Sequence, residues 1–210
     1  MMRYQELIWD FDGTLFDTYP AMCRDLGQVM ETLGVPVRQE DLLCRFTRSR
    51  EQVLTWCAEQ AGRTAGEIDR IYRSWVAEHG QPEAHPFPYA GEMLSRFQAA
   101  GGRNFIFTHR SESVHDYLAE AGLRAYFTDV VSAGTVYARK PDPAGNLHLI
   151  RTYGLDPDRT LAIGDRELDV LAAKRAGIRA CLVDPALPET AADYRIRSLK
   201  ELGPVLGLTR

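Results

Sequence analysis

Two aspartates, Asp10 and Asp12, stand one residue apart at the end of an apolar run, in Ile8-Trp9-Asp10-Phe11-Asp12-Gly13-Thr14-Leu15-Phe16-Asp17. Two carboxylates this close to a core repel each other and lose hydration, so they either lie open in solvent or share a cation. Three further stretches carry groups that fit the second reading. Thr108-His109-Arg110 ends another apolar run. Arg139-Lys140-Pro141-Asp142-Pro143 sets an ammonium ahead of a helical pattern, with Pro141 expected in the first turn of that helix. Gly164-Asp165 closes a β-rich run and is followed by Asp169.

The candidate ligands are oxygens, with no His or Cys at metal-ligand spacing, which favours a hard ion such as Mg²⁺ over zinc. A carboxylate attacking a phosphate monoester meets anion–anion repulsion, and a divalent cation together with the Lys140 ammonium removes much of it. Asp10 is then the group to attack phosphorus and give an aspartyl-phosphate. Asp12 can protonate the leaving oxygen and later deprotonate the hydrolytic water. Gly13 lets backbone N–H groups come close to a phosphate, and the Thr108 hydroxyl adds a donor. Singly, each has a plainer reading: a capped turn for Asp-x-Asp-Gly-Thr, a solvated surface amine at Lys140, an ordinary strand residue at Thr108, and a helix-dipole preference at Asp165 and Asp169. Their joint placement at strand ends favours chemistry.

Those strand ends come from a recurring pattern. Leu7–Trp9, Asn104–Thr108, Asp129–Ser132, Thr160–Gly164 and Ala180–Val183 are short β-rich runs. Between them lie segments with apolar residues at helical spacing, such as Met93, Leu94, Phe97 and Ala100, or Val114, Tyr117, Leu118 and Ala121, with Gly101 and Gly122 where each helix should stop. Strands alternating with helices predict an α/β doubly wound parallel sheet, whose ligands bind beyond the carboxyl ends of the strands where strand order reverses. The first interval breaks the rhythm, since the next strand-like run begins only at Asn104 and the intervening segment is helical throughout. Met22, Leu26, Val29, Met30 and Leu33 form one apolar face; Ile68, Ile71, Tyr72, Trp75 and Val76 form another; shorter patterns lie near Leu42–Phe46 and Val53–Ala61. A crossover helix needs far less chain. The expected division is a core of residues 1–17 and 87–210 and a helical domain of 18–86, hinged at Thr18-Tyr19-Pro20 and His85-Pro86-Phe87-Pro88.

Composition narrows the partners. A net charge of −4 with scattered Arg and Lys offers no stripe for nucleic acid or an anionic membrane, so a small molecule is expected. The N-terminal stretch lacks a signal-peptide pattern and no apolar run reaches spanning length, so a cytoplasmic protein is expected, a monomer or weak homodimer. Cys23, Cys44, Cys57 and Cys181 lie far apart without a C-x-x-C pair and read as buried thiols.

On these motifs the chain resembles the haloacid dehalogenase-like superfamily, in the branch of phosphoglycolate phosphatase and β-phosphoglucomutase, over essentially its whole length. Asp10-Phe11-Asp12-Gly13-Thr14 is similar to the nucleophile motif, Phe107-Thr108 to the second, phosphate-binding motif, Lys140-Pro141-Asp142-Pro143 to the third and Gly164-Asp165-Arg166-Glu167-Leu168-Asp169 to the fourth. The resemblance implies Mg²⁺ held by the Asp10 side chain, the Asp12 backbone carbonyl and Asp165, with Asp169 in support. It places phosphate at Gly13, Thr108, His109 and Lys140, and makes the helical insert a cap. Within the cap, Ser49-Arg50-Glu51 resembles the specificity loop of the mutase branch without its expected glycine, and Arg48 and Arg50 are the candidate specificity residues. Arg166 either steers anions or covers a helix start, and His115 and His148 read as structural or exposed. A Mg²⁺-dependent phosphatase of a small phosphate monoester, phosphoglycolate or a sugar phosphate, is the leading expectation. A phosphomutase would need the same aspartates, a dehalogenase would not need Asp12, and a receiver-like phosphate-binding protein would carry its acceptor aspartate on a later strand.

Overall fold

The computed structural model describes residues 2–134, 138–183 and 190–208. Six parallel strands form one sheet: β1 (Glu6–Trp9), β2 (Arg103–Phe107), β3 (Phe127–Val131), β4 (Thr160–Gly164), β5 (Arg179–Val183) and β6 (Tyr194–Ile196), in the order β3-β2-β1-β4-β5-β6. Helices are α1 (Tyr19–Thr32), α2 (Gln39–Phe46), α3 (Arg50–Ala61), α4 (Ala65–His79), α5 (Ala90–Ala99), α6 (Val114–Glu120), α7 (Ala144–Tyr153), α8 (Glu167–Arg175) and α9 (Leu202–Leu206). β1 pairs with β2 on one side, Trp9 opposite Ile106, and with β4 on the other, Trp9 opposite Ile163. The order of strands therefore reverses between β1 and β4, the place where an open parallel sheet leaves a crevice.

The strands read as unbroken apolar runs because both faces of the sheet are covered. On one face Ile8, Phe105, Phe107, Ala162, Ala180 and Leu182 pack with Leu149 of α7 and with Val170 and Ala173 of α8. The alternate residues Leu7, Trp9, Leu161, Ile163 and Cys181 are buried as well. Burying a side chain of this size is worth about 1.5–3 kcal/mol.

Two features depart from the sequence reading. The sheet has a sixth strand, β6, whose Tyr-Arg-Ile sequence alternates in burial at an edge and offers no apolar run to detect. And α7 starts at Ala144 rather than at Pro141, because Asp142 Oδ1 accepts the Ala144 N–H at 2.8 Å and Pro143 stands at the N-cap. Cys23, Cys57 and Cys181 are buried thiols, whereas Cys44 is exposed, since it lies on the outer side of α2 away from the buried Leu42 and Phe46.

The chain divides into two compact units, Met1–Phe16 with Pro86–Arg210, and Asp17–His85. The second is an all-helical unit with its own core, in which Met22, Leu26, Val29 and Met30 of α1 join Leu42 and Phe46 of α2, Val53 and Cys57 of α3, and Ile68 and Tyr72 of α4. Its helix starts are built into the sequence. Ser49 accepts the Gln52 N–H at 3.1 Å, and Thr64 and Glu67 cap each other reciprocally, with the Thr64 N–H donating to Glu67 Oε2 at 2.8 Å. Among the described residues no helix is long and apolar enough to cross a membrane.

Candidate active site

The first motif sits at the reversal point. Asp10 follows β1 directly, and its N–H donates to the Ile163 carbonyl at 2.8 Å, so the ladder with β4 continues for one more residue and delivers the side chain at the carboxyl end of the sheet. The chain then folds back. The N–H groups of Leu15 and Phe16 both reach the Phe11 carbonyl at 3.0 Å, and the Phe11 and Phe16 rings stack with centroids 4.5 Å apart. Gly13 adopts φ 81°, a conformation costly for any residue with a Cβ. Its own N–H donates to the Phe16 carbonyl at 2.9 Å, so it supplies the turn rather than a donor open to a ligand.

Asp10, Asp165 and Asp169 converge, with one carboxylate oxygen of each lying within 4.8 Å of the others. Asp165 follows β4, and Asp169 comes from the first turn of α8, where its Oδ2 accepts the Arg166 N–H at 3.1 Å. Gly164 is required for that approach, since a Cβ there would lie 2.3 Å from the Cβ of Asp169. Lys140 is buried between two of the carboxylates, its Nζ 2.6 Å from Asp10 Oδ1 and 2.7 Å from Asp169 Oδ1. Thr14 Oγ1 donates to Asp165 Oδ1 at 3.3 Å.

Burial sets the electrostatics. Loss of hydration pushes the Asp10 carboxyl up to about 6 against the pull of Lys140, and the neighbouring Asp169 adds to the rise. Burial also opposes charge on Lys140 and on Asp169, but there the opposite charges win: the two carboxylates hold Lys140 above the usual amine range, and Lys140 with Arg166 holds Asp169 below the usual carboxylate range.

Asp12 lies apart from this cluster. Its Oδ1 accepts from Arg110 Nε at 2.9 Å and Nη2 at 2.5 Å. The Arg110 guanidinium lies 4.9 Å from the centroid of the Tyr117 ring and 5.5 Å from that of Phe11. Thr108 is buried; its hydroxyl oxygen accepts the Arg110 N–H at 3.0 Å, which leaves the hydroxyl proton to donate elsewhere. His109 is held against the Lys140 loop. Its Nε2 accepts the Lys140 N–H at 2.6 Å, and burial, followed by the charges of Lys140 and Arg166, pulls it down to about 3. The neutral ring thus tethers the Lys140 loop.

The remaining candidates lie elsewhere. Arg48 is exposed in the turn between α2 and α3, and Arg50 opens α3 with Nη2 2.6 Å from Asp69 Oδ1 and its guanidinium 5.3 Å from the Tyr72 ring. His148 is exposed, and His115 stands 3.5 Å from Glu112. Thr14, Arg110 and Arg166 are the residues whose contacts sequence reasoning did not assign. Thr14 was legible as the last member of the aspartate motif, whereas Arg110 meets Asp12 and Arg166 meets Asp10, both in the distant segment that follows β1.

The cluster suits a hard divalent cation. Its donors are all carboxylate oxygens, and Asp10 Oδ2 is buried without a hydrogen-bond partner among the described residues, a costly state unless a ligand completes it.

A family model described as haloacid dehalogenase-like hydrolase matches residues 7–183. The chain is 30% identical over 185 residues to a phosphoglycolate phosphatase of Mesorhizobium japonicum, a match covering 85% of this chain and 82% of that protein. Among solved structures it resembles a HAD-superfamily hydrolase, subfamily IA, of Geobacter sulfurreducens, with TM-score 0.72 and 28% identity over 98% of both chains. It also shares the fold of CbbY from Rhodobacter sphaeroides, solved in complex with phosphate, with TM-score 0.76 and 23% identity over 98% of this chain and all, 100%, of that one.

Proposed function

Because the chain belongs to the haloacid dehalogenase-like hydrolase family, we propose that it is a Mg²⁺-dependent phosphatase that hydrolyses a small phosphate monoester, phosphoglycolate or a sugar phosphate, through an aspartyl-phosphate on Asp10. The observation that carries this reading is the triad of buried Asp10, half-buried Asp165 and buried Asp169, with Lys140 bonded to two of its members, at the carboxyl end of the sheet. The named phosphatase relative, similar over 82% of its own length, supports phosphoglycolate as the first ester to try.

Asp10, Asp165 and the backbone carbonyl of Asp12 would hold the ion, which supplies positive charge against the anionic phosphate oxygens. Lys140 fixes Asp10 through Oδ1, so that oxygen is pinned, while Oδ2, which accepts no hydrogen bond among the described residues, is the oxygen we assign to the attack. The ammonium also lowers the repulsion that the attacking carboxylate meets. Asp10 forms the bond to phosphorus as the ester oxygen leaves, and Asp12, which enters this step with a proton on Oδ2 while Oδ1 stays with Arg110, delivers that proton to the leaving oxygen. Water then displaces the phosphoryl group from Asp10, with Asp12 taking its proton, which returns both side chains to their starting state. Thr108 offers its hydroxyl proton to the phosphate, and His109 keeps Lys140 in register by accepting its backbone N–H. Selection among esters we assign to the helical unit 17–85, with exposed Arg48 as its candidate side chain and Arg50 already held by Asp69.

The test is turnover of p-nitrophenyl phosphate and phosphoglycolate by the purified chain, with and without EDTA, beside Asp10→Asn. Hydrolysis that disappears with EDTA, returns with Mg²⁺ and falls about 10⁴-fold in Asp10→Asn is the expected result. Hydrolysis indifferent to EDTA, or an Asp10→Asn variant retaining more than about a tenth of the turnover, would overturn the reading.

A further inference from the structure

Arg166 stands between the two aspartates of the fourth motif, at the N-cap of α8, with extended backbone angles of φ −124° and ψ 153°. Its backbone N–H is used by Asp169. The guanidinium turns back over the triad: Nη2 lies 3.8 Å from Asp10 Oδ2, and Nε lies 3.8 Å from Asp165 Oδ1 and 3.8 Å from Asp169 Oδ2, with only 11% of the side chain exposed. It thus reaches all three carboxylates that could hold a cation. Lys140 takes the other oxygens of Asp10 and Asp169.

The two cations are held differently. Lys140 is hydrogen-bonded at 2.6 and 2.7 Å and 3% exposed, so removing it would strand two buried carboxylates. Arg166 sits at the longer ion-pair distance of 3.8 Å from each of three carboxylates. With three carboxylates against one ammonium and one guanidinium, the cluster carries a formal charge of −1, and without Arg166 it would carry −2. Buried like charges of that density destabilise a fold, and they attract a divalent cation more strongly.

We propose that Arg166 is the resident counter-ion of the metal site: it offsets part of the charge of Asp10, Asp165 and Asp169 while no divalent ion is bound and competes with that ion for the same carboxylates, so that it sets metal affinity and the stability of the metal-free protein. This rests on the metal-site reading above. It makes Arg166 a positioning residue, one that acts through the carboxylates. The same guanidinium used only to cover the start of α8 would influence stability equally with and without metal. A guanidinium that grips the substrate would influence KM and leave metal binding unchanged.

The test measures Mg²⁺ binding directly, by isothermal titration of the full chain stripped with EDTA, together with thermal unfolding in EDTA and in saturating Mg²⁺. Arg166→Gln should bind Mg²⁺ on the order of tenfold more tightly than the natural chain. It should unfold at lower temperature in EDTA, and gain more from Mg²⁺ than the natural chain does. Arg166→Lys, which keeps the charge on a shorter reach, should fall between the two. Unchanged or weaker Mg²⁺ binding in Arg166→Gln, or an equal loss of Tm in EDTA and in Mg²⁺, would overturn the proposal. Asp165→Asn separates this failure from failure of the underlying reading. If the natural chain takes up no Mg²⁺, or Asp165→Asn binds it equally well, the metal site itself is wrong; if Asp165→Asn loses binding while Arg166→Gln is unaltered, only the role of Arg166 falls.

Discussion

Asp12 and Arg110 form a partly buried ion pair in which two guanidinium nitrogens, at 2.9 and 2.5 Å, share one carboxylate oxygen, with the arginine side chain 8% and the aspartate 17% exposed. The pair ties the residue assigned to proton transfer to the loop that carries Thr108, whose hydroxyl oxygen accepts the Arg110 N–H. Asp12 is therefore oriented from a neighbouring strand.

Arg110→Ala should slow the reaction according to how much help the leaving group needs. For an alkyl phosphate, kcat/KM should fall about tenfold to a hundredfold, while for p-nitrophenyl phosphate, whose phenolate leaves unprotonated, it should fall less than about threefold. The two substrates compared on one variant provide the check; equal losses would mean that Arg110 supports the loop in general.

Asp12→Asn should separate the two half-reactions. Phosphorylation of Asp10 from p-nitrophenyl phosphate survives, whereas hydrolysis of the phosphoenzyme, which always needs a base for water, slows by about 10²-fold or more. Rapid-quench trapping should then show an acid-stable, alkali-labile phosphoenzyme accumulating in the variant. Its absence, with both steps slowed together, would count against Asp12 as the acid and base.

Gly164→Ala and Gly66→Ala should act in opposite directions. At Gly164 the new methyl meets the Asp169 Cβ at 2.3 Å, which should cost about 1–3 kcal/mol and displace the carboxylate that holds Lys140. At Gly66, within α4, nothing lies within 4 Å, and alanine should stabilise by about 0.4–1 kcal/mol. Urea-unfolding midpoints and m-values of the two variants give the answer, and a stable, fully active Gly164→Ala would refute the packing account.

The helical unit should show an acid sensitivity traceable to one carboxylate. Burial opposes charge on Asp69, but Arg50 at 2.6 Å and Arg73 at 2.7 Å outweigh it and hold the carboxyl below its usual range. A folded-state value below the unfolded one adds stability above the unfolded value, about pH 4, and that stability is lost as pH falls through the depressed folded value. The difference in urea midpoint between the natural chain and Asp69→Asn should therefore be largest near neutral pH and shrink steadily below about pH 4. A difference independent of pH would show that the carboxylate charge contributes nothing there.

What the sequence determined by itself was the local content: the apolar runs of the central strands, the glycine stops at Gly101 and Gly122, the helical patterns of residues 18–86, the aspartates and threonine at strand ends, and the lysine ahead of a helix. These follow from periodicity and residue chemistry within a few positions of one another, which is why a three-residue edge strand such as β6, with no apolar run, escaped. What only the tertiary structure decided was which side chains meet. Parallel pairing of β1 with β4 brings Asp10 against Asp165, and the loop ahead of α7 brings Lys140 between Asp10 and Asp169. The same folding sets His109 against the Lys140 backbone, gives Arg110 to Asp12 and sets Arg166 over the triad. Those assignments depend on distances between residues far apart in the chain, because a charged side chain takes its role from whichever opposite charge the packed fold leaves within reach.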